Sequence, residues 1–396
     1  MTTPQQETVP LGAAVARPTT RLTTGHWLLA GAIAVALVLP FVFRGFVIFQ
    51  LTEVMIYGLA ILGLNLLTGF NGQFSVGHGA FFGLGAYVTA IMMQRWNVPY
   101  YWTLPPAGLV CFVVGVAFGV PALRLRGLYI ALVTFAAAVA LPQLLKFNFF
   151  EGWTGGVQGI VVNQPGVPAF LPVISADQWL YFFTLAVVLL MFWGASNLAK
   201  SRSGRAIMAI RDHDIAAAAM GINANLYKTL TFGVSALYTG VAGALSALAV
   251  QFVAPDSFGL FVSIYFLVGL ILGGIGSLWG CLFGGLFVLY VPNLAQDISR
   301  GLSGVFFGLI MLLVIFVMPS GAAGFARLAG AWVRRRVAPP MPPPGRANLA
   351  APEPSGSIGP NSANLATTPV PEITEQQPVN MEAPNIRKPN RLGDRK

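Results

Sequence analysis

Apolar residues do not alternate with polar ones along this chain; they run together. Segments at 27–49, 51–68, 80–95, 104–123, 127–146, 178–199, 228–250, 259–273, 280–297 and 302–318 are almost free of charge. Most approach the roughly twenty residues needed to cross about 30 Å of hydrocarbon. The pattern predicts an all-α polytopic membrane protein with about ten transmembrane helices, some of them broken or re-entrant. A barrel would show short alternating segments instead.

Between the second and third segments lies "GFNGQFSVGHGAFFGLGAY", with six glycines in nineteen residues. Glycine frees the backbone. Non-helical backbone at membrane depth survives only where protein buries it or where it lines a cavity, and broken helices there can aim amides at a zwitterionic ligand. Gly72, Gln73, Ser75, Gly77 and His78 are therefore candidates for the lining of a substrate path. The competing reading is close helix packing through small residues. For His78 it is a polar side chain satisfying the free backbone groups of a break. The second glycine-rich stretch, Gly273 to Gly285, carries the same two readings.

The apolar pattern stops at both ends. Residues 1–24 are polar, with prolines at 4, 10 and 18, and no short basic region announces a cleavable signal. From Val337 to Lys396 the chain holds thirteen of its 28 prolines. Such a tail buries too little apolar surface to offset its ordering entropy, so it is expected to be disordered. The plan is thus a polar cytoplasmic N-terminus (1–24), a transmembrane domain (25–320) with a polar loop at 201–227, and a basic, then proline-rich, cytoplasmic tail (321–396).

Composition agrees: 56% of the 396 residues are hydrophobic and 9% charged, against about 25% charged in a soluble domain. Threading ten spans from a cytoplasmic N-terminus puts thirteen Lys and Arg inside and four outside, leaving out six in the far tail. That fits the positive-inside rule and places both termini in the cytoplasm. The net charge of +10 is then a topology signal, and no folded basic surface for nucleic acid is visible.

Chemistry is sparse. Glu53 sits near a span start and Lys146 near a span end, so the deep ionisable relays of ion-coupled carriers are missing. Three His and two Cys show no metal-ligand spacing; Cys111 and Cys281, inside apolar runs, read as packing. No Ser-His-Asp, HExxH or paired-carboxylate pattern supports catalysis, and no cofactor is expected. The dipeptide Gly-Lys is absent, so there is no P-loop. If ATP drives this protein, another polypeptide hydrolyses it.

The longest charged connection is "SRSGRAIMAIRDHDIAAAAMGINANLYK", Ser201 to Lys228. It reads as short helices, with Ser203 and Asp214 as N-caps, alanines favouring helix and Gly221 as a left-handed stop. An ordinary solvated loop is one reading; a small helix shaped for a groove on a partner is the other. On the side poor in Lys and Arg, the loop Phe147–Gln178 carries Trp153, Thr154, Gly155, Gly156 and Gly159. Ordered loops of that length are usually functional.

"SRSGRAIMAIR" followed by "DIAAAAMGIN" resembles the EAA-type loop of ABC importer permeases. With "GLNLLTGFNGQFSVGHGAFFGLGAY" (63–87), "RLRGLYIALVTFA" (124–136), "WTGGVQGI" (153–160) and "GLILGGIGSLWG" (269–280), the chain is similar to the branched-chain amino-acid permease family, LivM-type subunits, over roughly residues 50–320. The resemblance implies a permease subunit of the cell inner membrane, surrounded by lipid. It implies as partners a second permease subunit in a heterodimer, two cytoplasmic ATPases and an external solute-binding protein. It makes Arg205, Arg211, Asp214, Ala217, Ala218 and Gly221 the ATPase-coupling residues, and turns the Trp153–Gly159 loop toward the binding protein. Three departures stand out: Tyr265 occupies the place of an expected acidic residue after "DSFG", the EAA-type loop has Asp214 where Glu is usual, and the tail from Val337 has no counterpart. Two other readings stay open, a passive channel for a small neutral solute and an ABC permease for urea or short amides. A channel has no need of a docking helix; the cargo is not separable by sequence.

Overall fold

The computed structural model describes residues 23–43, 45–122, 128–168, 174–298, 301–317, 321–322 and 324–325. The expected polar segment before residue 23, Arg124, Arg126 and the proline-rich tail lie outside the described residues. The helices are α1 (Thr23–Val42), α2 (Phe46–Asn65), α3 (His78–Trp96), α4 (Tyr100–Ala122), α5 (Leu128–Leu145), α6 (Asn148–Thr154), α7 (Ala176–Lys200), α8 (Arg202–Asp212), α9 (Asp214–Ala219), α10 (Ala224–Val250), α11 (Leu260–Gly273), α12 (Gly280–Ile298) and α13 (Ser303–Val317). A π-helical turn, Leu66–Phe70, prolongs α2. Two short antiparallel strands, β1 (Ile160–Val161) and β2 (Phe252–Val253), pair Ile160 with Val253.

The apolar segments of the sequence fall on helices, but not one to one: the first straddles α1 and α2, and Ile33–Val42 and Gly304–Val314 are shorter apolar stretches. Among the described residues, five helical stretches are long and apolar enough to cross a membrane, or six if α5 and α6, bent by 79° at their junction, count as one span. The first segment ends earlier than its apolar run. Gly45, at φ +63°, separates α1 from α2, so α2 begins at Phe46. Glu53 thereby lies about 10 Å along α2 at 1.5 Å per residue. It is buried rather than near the surface, with Oε1 unpartnered.

α10 is the hub, buried along most of its length against α2, α3 and α4. Small residues make this close approach feasible. A methyl group on Gly243 would strike the carbonyl of Phe82, and one on Gly85 the carbonyl of Gly240, so α3 and α10 meet backbone to backbone. α12 packs likewise: Gly284 lies against Gly269 of α11, and Gly285 against Val54 and Gly58 of α2. In the second glycine stretch, close packing thus accounts for Gly284 and Gly285. Gly274 and Gly276, both at positive φ, turn the chain from α11 to α12. An aromatic cluster of Tyr57, Phe82, Tyr87, Phe258 and Phe266 fills the space between α2, α3 and α11.

The helix ends sort into two groups. At one end Gln178 Nε2 donates to the Pro40 carbonyl (2.8 Å), Trp179 Nε1 to Tyr100 Oη (2.7 Å), and Lys146 pairs with Asp256 (2.5 Å). The α2–α3 connection, the α8–α9 loop and the α11–α12 turn gather at the other.

Candidate functional site

The α2–α3 connection, residues 71–77, alternates. Asn71, Gln73, Ser75 and Gly77 turn inward and are buried, while Gly72 and Phe74 are exposed. Most of its interior groups are held by hydrogen bonds, Asn71 Oδ1 being buried without a partner. Gln73 N–H donates to the Leu67 carbonyl (3.2 Å), Thr68 Oγ1 to the Gln73 carbonyl (3.0 Å) and Asn71 Nδ2 to Gln73 Oε1 (3.1 Å). Val76 N–H donates to Thr134 Oγ1 (3.0 Å) on α5, and Gly79 N–H to Ser263 Oγ (2.8 Å) on α11.

His78 is 1% exposed and uses both ring nitrogens. Nδ1 lies 2.9 Å from Ser75 Oγ and Nε2 lies 2.6 Å from Ser235 Oγ on α10. Ser235 Oγ donates its single proton to the Gly63 carbonyl (2.6 Å). It must therefore accept from Nε2–H, which assigns the neutral Nε2–H tautomer and leaves Nδ1 to accept from Ser75. The relay Ser75–His78–Ser235–Gly63 ties α3 to α10 and α2. His78 thus meets two serine hydroxyls rather than the free backbone groups expected; Ser75 and Thr134 take the Gly77 and Val76 amides of the break. Gly77 is closed in as well: a Cβ there would lie 2.9 Å from Thr134 Cβ and collide with its carbonyl.

Asn65, on the last turn of α2, receives Gly276 N–H on Oδ1 (2.8 Å) and donates from Nδ2 to the Ser277 carbonyl (3.0 Å). It thus joins the two glycine-rich connections. Sequence reasoning missed Asn65, Thr134 and Ser235. The available signal was a polar residue within an apolar segment, as in "GLNLLTG".

In the α8–α9 loop two expected caps are displaced. Ser201 rather than Ser203 caps α8, accepting Gly204 N–H (3.1 Å). Asp214 is the first residue of α9, not its cap, and its carboxylate pairs with Lys228 Nζ (2.5 Å). The stop at Gly221 (φ +81°) is a complete Schellman motif, with Ile222 N–H donating to the Ala217 carbonyl and Gly221 N–H to that of Ala218. Ala217 packs inward and Ala218 outward. Ile215 and Met220, 88% and 84% exposed, project from the two ends of α9. Arg205 folds back to the Lys200 carbonyl (3.0 Å). Arg211 reaches out of the loop to the Gly69 carbonyl (2.9 Å).

At the opposite end, Thr154, the last residue of α6, is buried, with Oγ1 donating toward the carbonyls of Leu145 (2.7 Å) and Phe150 (3.0 Å). Gly155, Gly156 and Gly159 all have positive φ, and this turn lets β1 reach β2. Trp153 is half exposed, with Arg95 over its ring at 5.6 Å. Phe149, Val157 and Val161 are further exposed apolar residues of this segment.

Residues 46–315 match the model of the family described as branched-chain amino acid transport system / permease component. The chain is 29% identical over 321 residues to the high-affinity branched-chain amino acid transport system permease protein LivM of Escherichia coli (strain K12), covering 76% of this chain and 75% of that protein. It is 30% identical over 298 residues to LivM of Salmonella typhimurium (strain LT2), covering 70% and 69%. It is 26% identical over 298 residues to the permease protein LivH of Escherichia coli (strain K12), covering 68% and 91%. No solved structure matches.

Proposed function

Because this chain belongs to the branched-chain amino acid transport permease family, we propose that it is one permease subunit of an ABC importer, forming with a second permease the path for branched-chain or related hydrophobic amino acids. Two separate ATPases drive the path and an external solute-binding protein feeds it. α1 to α5, α7 and α10 to α13 cross the inner membrane, with the α8–α9 loop and both termini in the cytoplasm.

The observation that carries this reading is α9. It is a helix of six residues, closed by Gly221, fastened at its start by Asp214–Lys228, and presenting Ile215 and Met220 to solvent. Two large apolar side chains on so small an element are a hydrophobic contact awaiting a groove, and an ATPase subunit supplies that groove. At the other end, the segment carrying Trp153, Val157 and Val161 receives the binding protein. Gly72, Gln73, Ser75, Gly77 and His78 stand beside the path, with exposed Gly72 and Phe74 on its surface and the others supporting them.

Reconstitution of the chain with its second permease, ATPases and binding protein in proteoliposomes tests the reading. ATP-dependent uptake of leucine is expected. Leucine flux through the chain alone without ATP would favour the channel, and uptake of urea or acetamide in place of leucine would change the cargo.

A further inference from the structure

Arg211 lies in the last turn of α8, next to the elbow at His213, where the backbone leaves helix (φ −153°, ψ 97°) before α9. Its side chain does three things at once. Nη1 donates to the Gly69 carbonyl (2.9 Å), Nε and Nη2 bind Asp212 Oδ1 (3.0 and 2.9 Å), and the aliphatic stem covers Gly72. Gly69 belongs to the π-helical turn that ends α2, where carbonyls lack intrahelical partners. An arginine there is the natural donor.

The fit is two-sided. Gly72 sits at φ +75°, and a Cβ on it would lie 2.8 Å from Arg211 Cγ, so the stem rests directly on bare backbone. Gly69 in turn abuts the α11–α12 turn, since a Cβ there would lie 2.7 Å from Gly276 N. Arg211 therefore touches the α2–α3 side directly, and Gly69 and Asn65 join that side to the α11–α12 turn.

We propose that Arg211 is the positioning residue that transmits movement of the α8–α9 loop to the end of α2 and the α2–α3 connection. This rests on the reading of the chain as an ATP-driven permease. Arg211 holds Gly69 and Gly72 in register with the elbow, so that a shift of α9 moves them rather than sliding past. Asp212 restrains the guanidinium and keeps the lever stiff.

The test uses the complete transporter in proteoliposomes, comparing wild type, Arg211→Ala and Arg211→Lys. Leucine uptake, ATP hydrolysis and disulfide crosslinking of a cysteine at Ile215 to the ATPase are measured on the same samples. Arg211→Ala is expected to keep docking and hydrolysis while uptake per ATP falls about tenfold, within the usual range of coupling free energies. Arg211→Lys, which restores a donor to the Gly69 carbonyl, is expected to recover part of the ratio. An unchanged ratio in Arg211→Ala overturns the proposal. So does a parallel loss of docking and hydrolysis, which makes Arg211 a docking residue, or failure of both variants to accumulate, which makes it a folding determinant. If wild type itself shows no ATP-dependent uptake, the functional reading fails instead.

Discussion

The α2–α3 connection and the α8–α9 loop lie at the same end of the molecule, yet they treat their side chains in opposite ways. The connection and the first residue of α3 turn Gln73, Ser75 and His78 inward and give these side chains partners within the chain. The loop satisfies its backbone with a cap and a Schellman stop, then leaves Ile215 and Met220 uncovered. An element whose polar groups are paired internally is fixed by its own fold, because breaking buried hydrogen bonds is costly. An element with paired backbone and bare apolar tips leaves those tips available for a contact outside its own fold. Arg211 bridges the two.

The strongest way to break this contrast is Gly77→Leu. The side chain has no room beside Thr134, so the variant is expected to lose about 3 kcal/mol of stability or more, the upper end of overpacking costs. Folded protein recovered from membranes should fall sharply, and ATPase association with it. Normal recovery with lost uptake would instead show that Gly77 is open to the path. His78→Ala is milder. It leaves the buried Ser75 hydroxyl proton without its acceptor and removes the donor to Ser235, at about 1–3 kcal/mol, so thermal stability in detergent should drop while uptake persists at a reduced level. His78→Asn, which keeps one donor and one acceptor, should recover part of that stability. Since both ring nitrogens are engaged in one neutral relay, substituting His78 is expected to leave the shape of the uptake–pH profile unchanged between about pH 5.5 and 8, the range around an ordinary histidine pKa. The smallest effect is Gly221→Ala. Open space surrounds Gly221, so the penalty is only the left-handed backbone, about 1–2 kcal/mol, felt as looser order in α9 and weaker ATPase association, with membrane levels unchanged.

What could be read from the sequence divides along the same line. The long helices followed from uninterrupted apolar runs, since membrane length and helix length coincide. Gly221 was legible because its role depends on neighbours within five residues. The caps misled for a local reason: in "SRSG" two serines compete, and the choice of Ser201 is made by Gly204 N–H. Asp214 gave up capping for Lys228, fourteen residues on. One partner of His78, Ser75, is local, but the other was out of reach. Ser235 lies 157 residues away and Gly276 lies 211 from Asn65, and no local pattern announces such contacts. Glycine was ambiguous for a further reason: turning at Gly276 and packing at Gly284 look alike in sequence, and only the approach of Gly269 to Gly284 separates them.

The central claim, that α9 is the contact for an ATPase, is tested most directly by cysteines at Ile215 and Met220. These positions are exposed, whereas Ala217 on the same helix faces inward. In the assembled complex both single-cysteine variants should form disulfides with cysteines lining the ATPase surface groove, and the yield should fall when free α9 peptide competes. Efficient labelling of both positions by a soluble maleimide in the intact complex, with no crosslink to either ATPase, would contradict the account.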